Sequence, residues 1–363
     1  VRIAEASLIP YRLPLRRSWR SARGVFSYRC GWLVRLKSDE GLEGYGDCAP
    51  LPEAGTESAD SALAQLELGL PLLRGVLLEK ALESLSLSSL FARPATRCAL
   101  ETALLDMMAQ QAALPLARWL NLDARLSVKA NQAIGNLDGT EGRRARVAAA
   151  AGFSVLKLKV GLNTPEKELA HLRRLSATLP PAVFLRLDAN GAWNPVQARQ
   201  FINGLSGLPV ESLEEPLRDP RAASLRELQS QAVFPLALDE SLARTGTENP
   251  LAERAVRRLV LKPMVLGGLF PALALARRAQ DAGLECVVTT TVDSAVGVLA
   301  ATHLAAALAN GLTHGVATSS WLRRDVGVFP PVRAGAIELD NSNSGLGLSM
   351  ATDGQKLPSH KWA

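Results

Sequence analysis

From Ser127 to Thr318, short apolar stretches alternate with Ala- and Leu-rich stretches of helical period. The apolar stretches fall at 127–131, 155–159, 184–188, 212–214, 236–239, 259–262, 286–289 and 315–318. Each is short enough for a buried strand, and each gap holds one helix, a repeat of roughly 25 residues that is the mark of a (β/α) barrel. A doubly wound open sheet is the competing α/β architecture. It is the weaker one, because eight even repeats close more naturally than they stay open. No G-x-G-x-x-G follows the first stretch, and no P-loop is present.

The flanks read differently. Residues 1–94 begin with alternating stretches at Ile3–Pro10, Gly31–Lys37 and Gly41–Gly46, then turn helical from 57 to 92, an α+β pattern. A basic small-residue stretch, Arg16–Gly24, and a Pro/Gly-punctuated stretch, Ala49–Gly55, read as loops. Residues 325–363 return to strand-like pieces at 336–339 and 345–349. The expected organisation is an α+β capping domain at 1–94, a barrel at 95–324, and a segment at 325–363 that returns to the cap.

Parity along the strands carries the chemistry. Side chains two apart share a face, so Lys157 and Lys159 in Val155-Leu-Lys-Leu-Lys159 point the same way. Arg186, Asp188 and Asn190 likewise oppose Leu185, Leu187 and Ala189. Glu214 opposes Leu213, Asp239 opposes its leucines, and Lys262 opposes Leu259 and Leu261. If the aliphatic face packs on the helices, the charged face points into the barrel, at the strand ends where this fold keeps its catalytic groups. Three converging carboxylates repel one another unless a cation joins them. An all-oxygen set with open positions suits Mg²⁺ better than zinc or copper. Mg²⁺ with flanking lysines is the equipment for removing a proton α to a carboxylate.

One strand-end acid alone is more often a helix cap or a surface charge. Five successive strands with the same parity are not explained that way. Glu215 falls on the other face from Glu214 and reads as structural. A retaining glycosidase needs only two carboxylates and leaves the lysines without a role. None of the histidines, His171, His303, His314 and His360, stands at a strand end, which argues against a His base, a zinc site and a Ser-His-Asp triad.

Composition removes other classes. No apolar run is long enough to span a membrane, and the start has no secretory pattern. The cysteines, Cys30, Cys48, Cys98 and Cys286, lack paired spacing and read as reduced, which predicts a cytoplasmic protein. The net charge of +6 comes from scattered arginines without a basic block interleaved with aromatics. Nucleic acid is therefore not the expected partner; a small carboxylate substrate is.

The motifs Lys157-Leu-Lys159, Asp188-Ala-Asn190, Glu214-Glu-Pro216, Asp239-Glu-Ser241 and Lys262-Pro263, in this order, resemble the enolase superfamily in its muconate-lactonizing subgroup. The resemblance covers essentially the whole chain and implies a barrel of the modified (β/α)7β type. Within the subgroup it points to the o-succinylbenzoate synthases, through Gly44-Tyr-Gly-Asp-Cys-Ala-Pro-Leu-Pro52, Arg186-x-Asp-x-Asn190 and Lys262-Pro263. Asp293 stands where that family carries Glu, and Ser344 where it often carries Pro.

That resemblance implies dehydration of a cyclohexadiene carboxylate to o-succinylbenzoate in menaquinone biosynthesis. N-acylamino acid racemases, dipeptide epimerases and muconate cycloisomerases are the related alternatives. It implies Asp188, Glu214 and Asp239 as ligands of Mg²⁺, with Mn²⁺ as a substitute. Lys159 would be the base and then the acid, Lys262 the group that stabilises the enediolate, and Lys157 the neighbour that tunes Lys159 and helps hold the substrate carboxylate. Arg186 and Asn190 would either support the metal ligands from behind or position substrate, and Ser294 would help bind the succinyl carboxylate, with helix N-terminal amides assisting. Trp19, Arg20 and Leu51 would belong to a lid over the mouth. Substrate choice is expected in that lid and in Thr318–Leu322.

Overall fold

Side-chain alternation builds the first sheet. Strand β1 (Ile3–Ser21) buries Tyr11, Leu13 and Leu15 while Arg12 and Arg16 face out, the period of a strand covered on one side. It pairs antiparallel with β2 (Gly24–Ser38), which pairs with β3 (Glu43–Cys48). Gly44 and Gly46 lie against the buried helix Pro94–Gln111 so closely that an added Cβ would stand 2.1 Å from the Ala103 carbonyl oxygen and 1.8 Å from that of Ala99. The Gly-Tyr-Gly spacing thus records a strand-on-helix contact. The computed structural model of the chain describes residues 1–21, 24–245, 251, 253–351 and 360–361.

The stretch expected as a loop at Arg16–Gly24 is mostly strand. Pairing runs from Ile3↔Ser38 to Pro14↔Tyr28 and resumes at Trp19↔Phe26 through Ser21↔Gly24. Composition hid this because Arg16, Arg17 and Ser18 are exposed, so backbone pairing holds the arm in place of buried side chains. The arm rests on the barrel through Arg323 N–H to the Pro14 carbonyl at 2.8 Å and Arg16 Nε to the Leu322 carbonyl at 3.1 Å.

After β4 (Ser127–Lys129) come seven barrel strands: β5 (Gln132–Asn136), β6 (Val155–Lys159), β7 (Phe184–Asp188), β8 (Val210–Glu214), β9 (Leu236–Leu238), β10 (Arg258–Leu261) and β11 (Glu285–Val288). They form one parallel sheet in chain order, with a helical segment after each. Closure is made by His314 and Gly315, which bridge in parallel to Ala130 and Thr289. Their amides donate to the carbonyls of Lys129 and Val288 at 2.8 and 2.7 Å. The fold is therefore an α/β barrel with a strand-and-helix module before it.

The first barrel strand is not the expected 127–131. Residues 127–129 pair antiparallel with a strand near the C-terminus, and the barrel begins at Gln132. Gln132-Ala-Ile-Gly-Asn136 has a single β-branched residue and a register irregularity at Gly135, so its side chains announce no strand. The eighth stretch, 315–318, is reduced to the bridging residues.

Downstream, β12 (Gly327–Val328) pairs with β14 (Ser349–Met350), β13 (Ala336–Glu338) with β4, and β15 (His360–Lys361) with β1. Asp106 on helix 94–111 accepts the Leu346 and Tyr45 amides at 2.8 and 3.1 Å, joining the tail to β3. His303 and His314 are buried, and each accepts a backbone N–H at 3.0 Å through Nδ1. Burial pushes them down, to about 4 and about 3, so both serve as neutral packing groups. No helix among the described residues is long and apolar enough to cross a membrane.

Candidate active site

Parallel register turns the charged strand ends into one cluster. Lys159 pairs with Asp188 across β6 and β7, and Asp188 with Glu214 across β7 and β8. Asp239 follows β9 and Lys262 follows β10. Asp188, Glu214 and Asp239 are 1%, 1% and 7% exposed, and one oxygen from each lies within 4.8 Å of the others. At that spacing each pair of charges repels by about 3–4 kcal/mol at an effective dielectric of about 20, so the cluster needs cations.

Three lysines supply them. Lys157 Nζ is 2.9 Å from Asp188 Oδ2 and donates to Glu214. Lys159 Nζ is 2.8 Å from the same Asp188 oxygen and donates to Asn190 Oδ1. On the other flank, Lys262 Nζ lies 2.7 Å from Asp239 Oδ1 and hydrogen-bonds Oδ2 at 2.8 Å. Burial alone would depress the Lys157 ammonium, but Asp188, Glu214 and Asp239 override it and hold its pKa above the ordinary lysine range. Burial opposes Lys262 in the same way, and Asp239 and Glu240 raise it. Asp188 is held below the usual carboxylate range because Lys157 and Lys159 outweigh its burial.

Asp239 is the least satisfied member. Burial and the adjacent Glu240 push it up to about 8, against Lys262 and Lys157, and the Lys262 ammonium meets both of its oxygens. A divalent cation among three buried oxygens would relieve that strain, and the donor set is the hard-oxygen type that Mg²⁺ takes. The charges agree. Counting Glu240, four carboxylates and three ammoniums leave one net negative charge. A divalent cation makes it one net positive charge, which a substrate carboxylate neutralises.

Two residues read less clearly from sequence frame this cluster. Glu215, at φ +46°, turns away from Glu214, and its Oε1 accepts the Asp239 amide at 2.6 Å and the Ser241 amide at 2.9 Å. It fixes the turn that aims Asp239. Glu240 accepts Asn190 Nδ2 at 3.1 Å and lies 3.9 Å from Lys262. Asn190 and Glu240 therefore strap the Lys159 flank to the Lys262 flank. The available signal was the doubled acid in Glu214-Glu215 and Asp239-Glu240, which puts one carboxylate on each side of a strand end.

Other expected site residues fall elsewhere. Arg186 lies one layer below the carboxylates, 2% exposed, bonded to Glu211 at 3.0 and 3.2 Å, Asn131 at 3.3 Å and the Thr313 carbonyl at 2.8 Å. Its Nε is 3.9 Å from Glu214, so it supports that carboxylate from beneath and does not stand at the mouth. Arg258, buried and bonded to Glu211 and to the partly exposed Glu285, extends the same floor.

Ser294 is fully buried at the start of helix Ala295–Leu308, and its amide donates to Asp47 Oδ2 at 2.9 Å. The next amide, Ala295, donates to Asp325 at 2.8 Å. The chain's own carboxylates thus occupy the amides expected to receive a substrate carboxylate. Leu51 is half-buried in the loop after β3, its amide donating to Thr56 Oγ1 at 2.6 Å. The side chains of Trp19 and Arg20 lie outside the described residues.

Fold and strand-end chemistry together define a barrel enzyme of the enolase superfamily. The chain belongs to the Enolase C-terminal domain-like family, which its residues 141–354 match. A hydrophobic dipeptide epimerase of Enterococcus faecalis is 28% identical over 316 residues, covering 85% of this chain and 88% of that protein. An N-succinyl-L-Arg/Lys racemase of Bacillus cereus is 25% identical over 312 residues, 84% of each chain. The crystal structure of the Enterococcus faecalis V583 dipeptide epimerase, complexed with Mg and L-Leu-L-Tyr, aligns with a TM-score of 0.86 at 27% identity, over 96% of this chain and 100% of that one. These relatives are named for epimerisation and racemisation, which is isomerase chemistry, whereas the motif resemblance implied a lyase.

Proposed function

We propose that this protein is a Mg²⁺-dependent enzyme that removes the proton α to the carboxylate of a small substrate and returns it, epimerising or racemising an N-acylated amino acid or dipeptide. The supporting observation is the placement of Lys159 and Lys262 on opposite flanks of the carboxylate set, against Asp188 and Asp239. A planar intermediate between two lysines can lose a proton on one face and gain it on the other. Asp188, Glu214 and Asp239 would hold Mg²⁺, or Mn²⁺ in its place, and the ion would neutralise charge developing on the substrate carboxylate. With those oxygens holding the ion, the lysines would lose their strongest partners, which would leave the neutral Lys159 amine available as the base. Lys157, between Asp188 and Glu214, would keep its charge and steady the substrate carboxylate. The rim segment Gly315–Leu322 carries Thr318, Ser319 and Ser320 and no carboxylate, which suits an N-acylated amino acid better than a dipeptide, whose first residue carries a free ammonium.

A second reading, dehydration to o-succinylbenzoate, is favoured by Lys262-Pro263 and Arg186-x-Asp-x-Asn190. There Lys159 would take the proton and then protonate the leaving hydroxide on the same face, with Lys262 contributing only charge.

The test runs with Mg²⁺ in D₂O. N-succinyl-L-arginine and L-Leu-L-Tyr are followed by loss of the α-proton signal and change in optical rotation. 2-Succinyl-6-hydroxy-2,4-cyclohexadiene-1-carboxylate is followed by appearance of the aromatic product. Exchange with inversion supports the isomerase; aromatisation without exchange supports the dehydratase. Inactivity on all three sinks both readings.

A further inference from the structure

Arg29, on β2, is 3% exposed and lies between the cap and the barrel. Its Nη2 donates to the Ala49 carbonyl at 2.6 Å and its Nη1 to the Pro50 carbonyl at 3.2 Å, just before Leu51 in the cap loop. Its Nε donates to the Val292 carbonyl at 3.1 Å, in the turn that leaves β11 at the catalytic end of the barrel. That turn borders the candidate site. Thr291 Oγ1 approaches Met264 Sδ, two residues after Lys262, at 3.9 Å. Thr290 Oγ1 meets Thr318 Oγ1 of the rim at 2.8 Å.

The turn needs holding. Val292 sits at φ +62°, a conformation that a β-branched residue adopts only under constraint. Its carbonyl is fixed by Arg29 and its amide by Thr290 Oγ1 at 3.3 Å. The neighbours complete the lock. Asp47 accepts Tyr11 Oη at 2.5 Å and the Ser294 amide at 2.9 Å, while Asp293 accepts the Thr291 amide and hydroxyl at 3.1 and 2.5 Å. Gly297 leaves room for both carboxylates, since a Cβ there would stand 2.7 Å from Asp293 Cβ and 2.8 Å from Asp47 Oδ2. A planar guanidinium can serve three carbonyls in fixed directions while balancing this charge; a lysine keeps the charge and loses the fork.

We infer that Arg29 is a positioning residue that couples the cap loop 49–55 to the barrel turn 289–294, and thereby sets the shape of the mouth through which the carboxylate substrate is held. The inference rests on the proposed function only in naming that mouth a substrate site.

Hydrogen exchange on the full chain with Mg²⁺ tests the coupling without any substrate. In Arg29→Lys, which keeps the buried charge and so the fold, peptides over 49–56 and 289–296 exchange about tenfold faster than wild type, while those over 184–190 keep their protection. Wild-type exchange in either loop overturns the coupling, and so does equal loosening of all three regions. Arg29→Lys in a Val292→Gly background is the second arm. Glycine takes φ +62° without strain, so turn 289–296 loosens less in response to Arg29→Lys there than in the Val292 background. An equal response in both backgrounds overturns the claim that Arg29 holds the strained turn. Kinetics on whichever of the three probes the wild type turns over give KM raised about tenfold with kcat changed less than about twofold. A fall in kcat with KM unchanged overturns the positioning role. If the wild type turns over none of them, the proposed function fails and the exchange arms still decide the coupling.

Discussion

Lys157 and Lys159 place their ammonium groups on one oxygen, Asp188 Oδ2, at 2.9 and 2.8 Å. Two residues apart on β6, they differ in their second partner. Lys157 reaches inward to Glu214, and Lys159 reaches outward to Asn190 at the strand's end. The inner lysine is committed to the carboxylate cluster, and the outer one is nearer the open mouth. That difference supports the proposal that Lys159, and not Lys157, acts as the base.

Replacing each flank lysine separates the faces of the reaction. Lys159→Ala should slow α-proton exchange by about 10²–10⁴-fold, the usual worth of a positioned base. Under the isomerase reading, Lys262→Ala keeps exchange on one face of the α-carbon and loses inversion. Deuterium incorporation by NMR, read with optical rotation, checks both. Inversion persisting at the wild-type rate in Lys262→Ala would contradict a two-lysine transfer.

Metal removal should abolish activity and lower the melting temperature without unfolding the chain, because the lysines already neutralise most of the carboxylate charge. Mg²⁺ at about a hundred times its dissociation constant contributes about 2.7 kcal/mol. Glu214→Gln should lose most of that metal-dependent shift in calorimetry. An unchanged shift would place the ion elsewhere.

Acid should stabilise one contact between helix 94–111 and the barrel helix that begins at Leu269. Glu101 on helix 94–111 accepts the Phe270 amide at 2.8 Å, and burial raises its pKa from 4.5 to about 7. A carboxyl whose folded pKa is raised binds its proton more tightly when folded. Its contribution is full below pH 4.5 and is lost as pH rises towards 7, amounting to at most about 3 kcal/mol. Urea unfolding at pH 5 and pH 8 should show this loss in wild type and a flatter profile in Glu101→Gln.

The strand-on-helix contact tolerates no side chain at Gly46. A Cβ there would overlap the Ala99 carbonyl oxygen at 1.8 Å, so β3 or the helix must shift. Gly46→Ala should cost about 3 kcal/mol or more, the upper part of the overpacking range. Urea midpoints measure it, and a loss below about 1 kcal/mol would mean the sheet slides freely on the helix.

The strand-end pattern was legible because facing is local: residues two apart share a face whatever surrounds them, so Lys157, Lys159, Asp188, Glu214, Asp239 and Lys262 could be aimed inward from sequence alone. The barrel was legible for the same reason, since each strand and helix declares its own period. Partners are not local. Arg186 has the parity of Asp188, but only the packed barrel shows that it is spent on Glu211 in the layer beneath. Ser294 heads a helix, but Asp47, 247 residues earlier, takes its amide. The first barrel strand lies at Gln132–Asn136 because a strand near the C-terminus claims 127–129. Sequence by itself determined which side chains face the barrel interior and which chemistry they can share. Tertiary structure alone decided which of them remain available to a substrate, because a hydrogen bond or ion pair is settled by whichever group the fold brings nearest, at any distance along the chain.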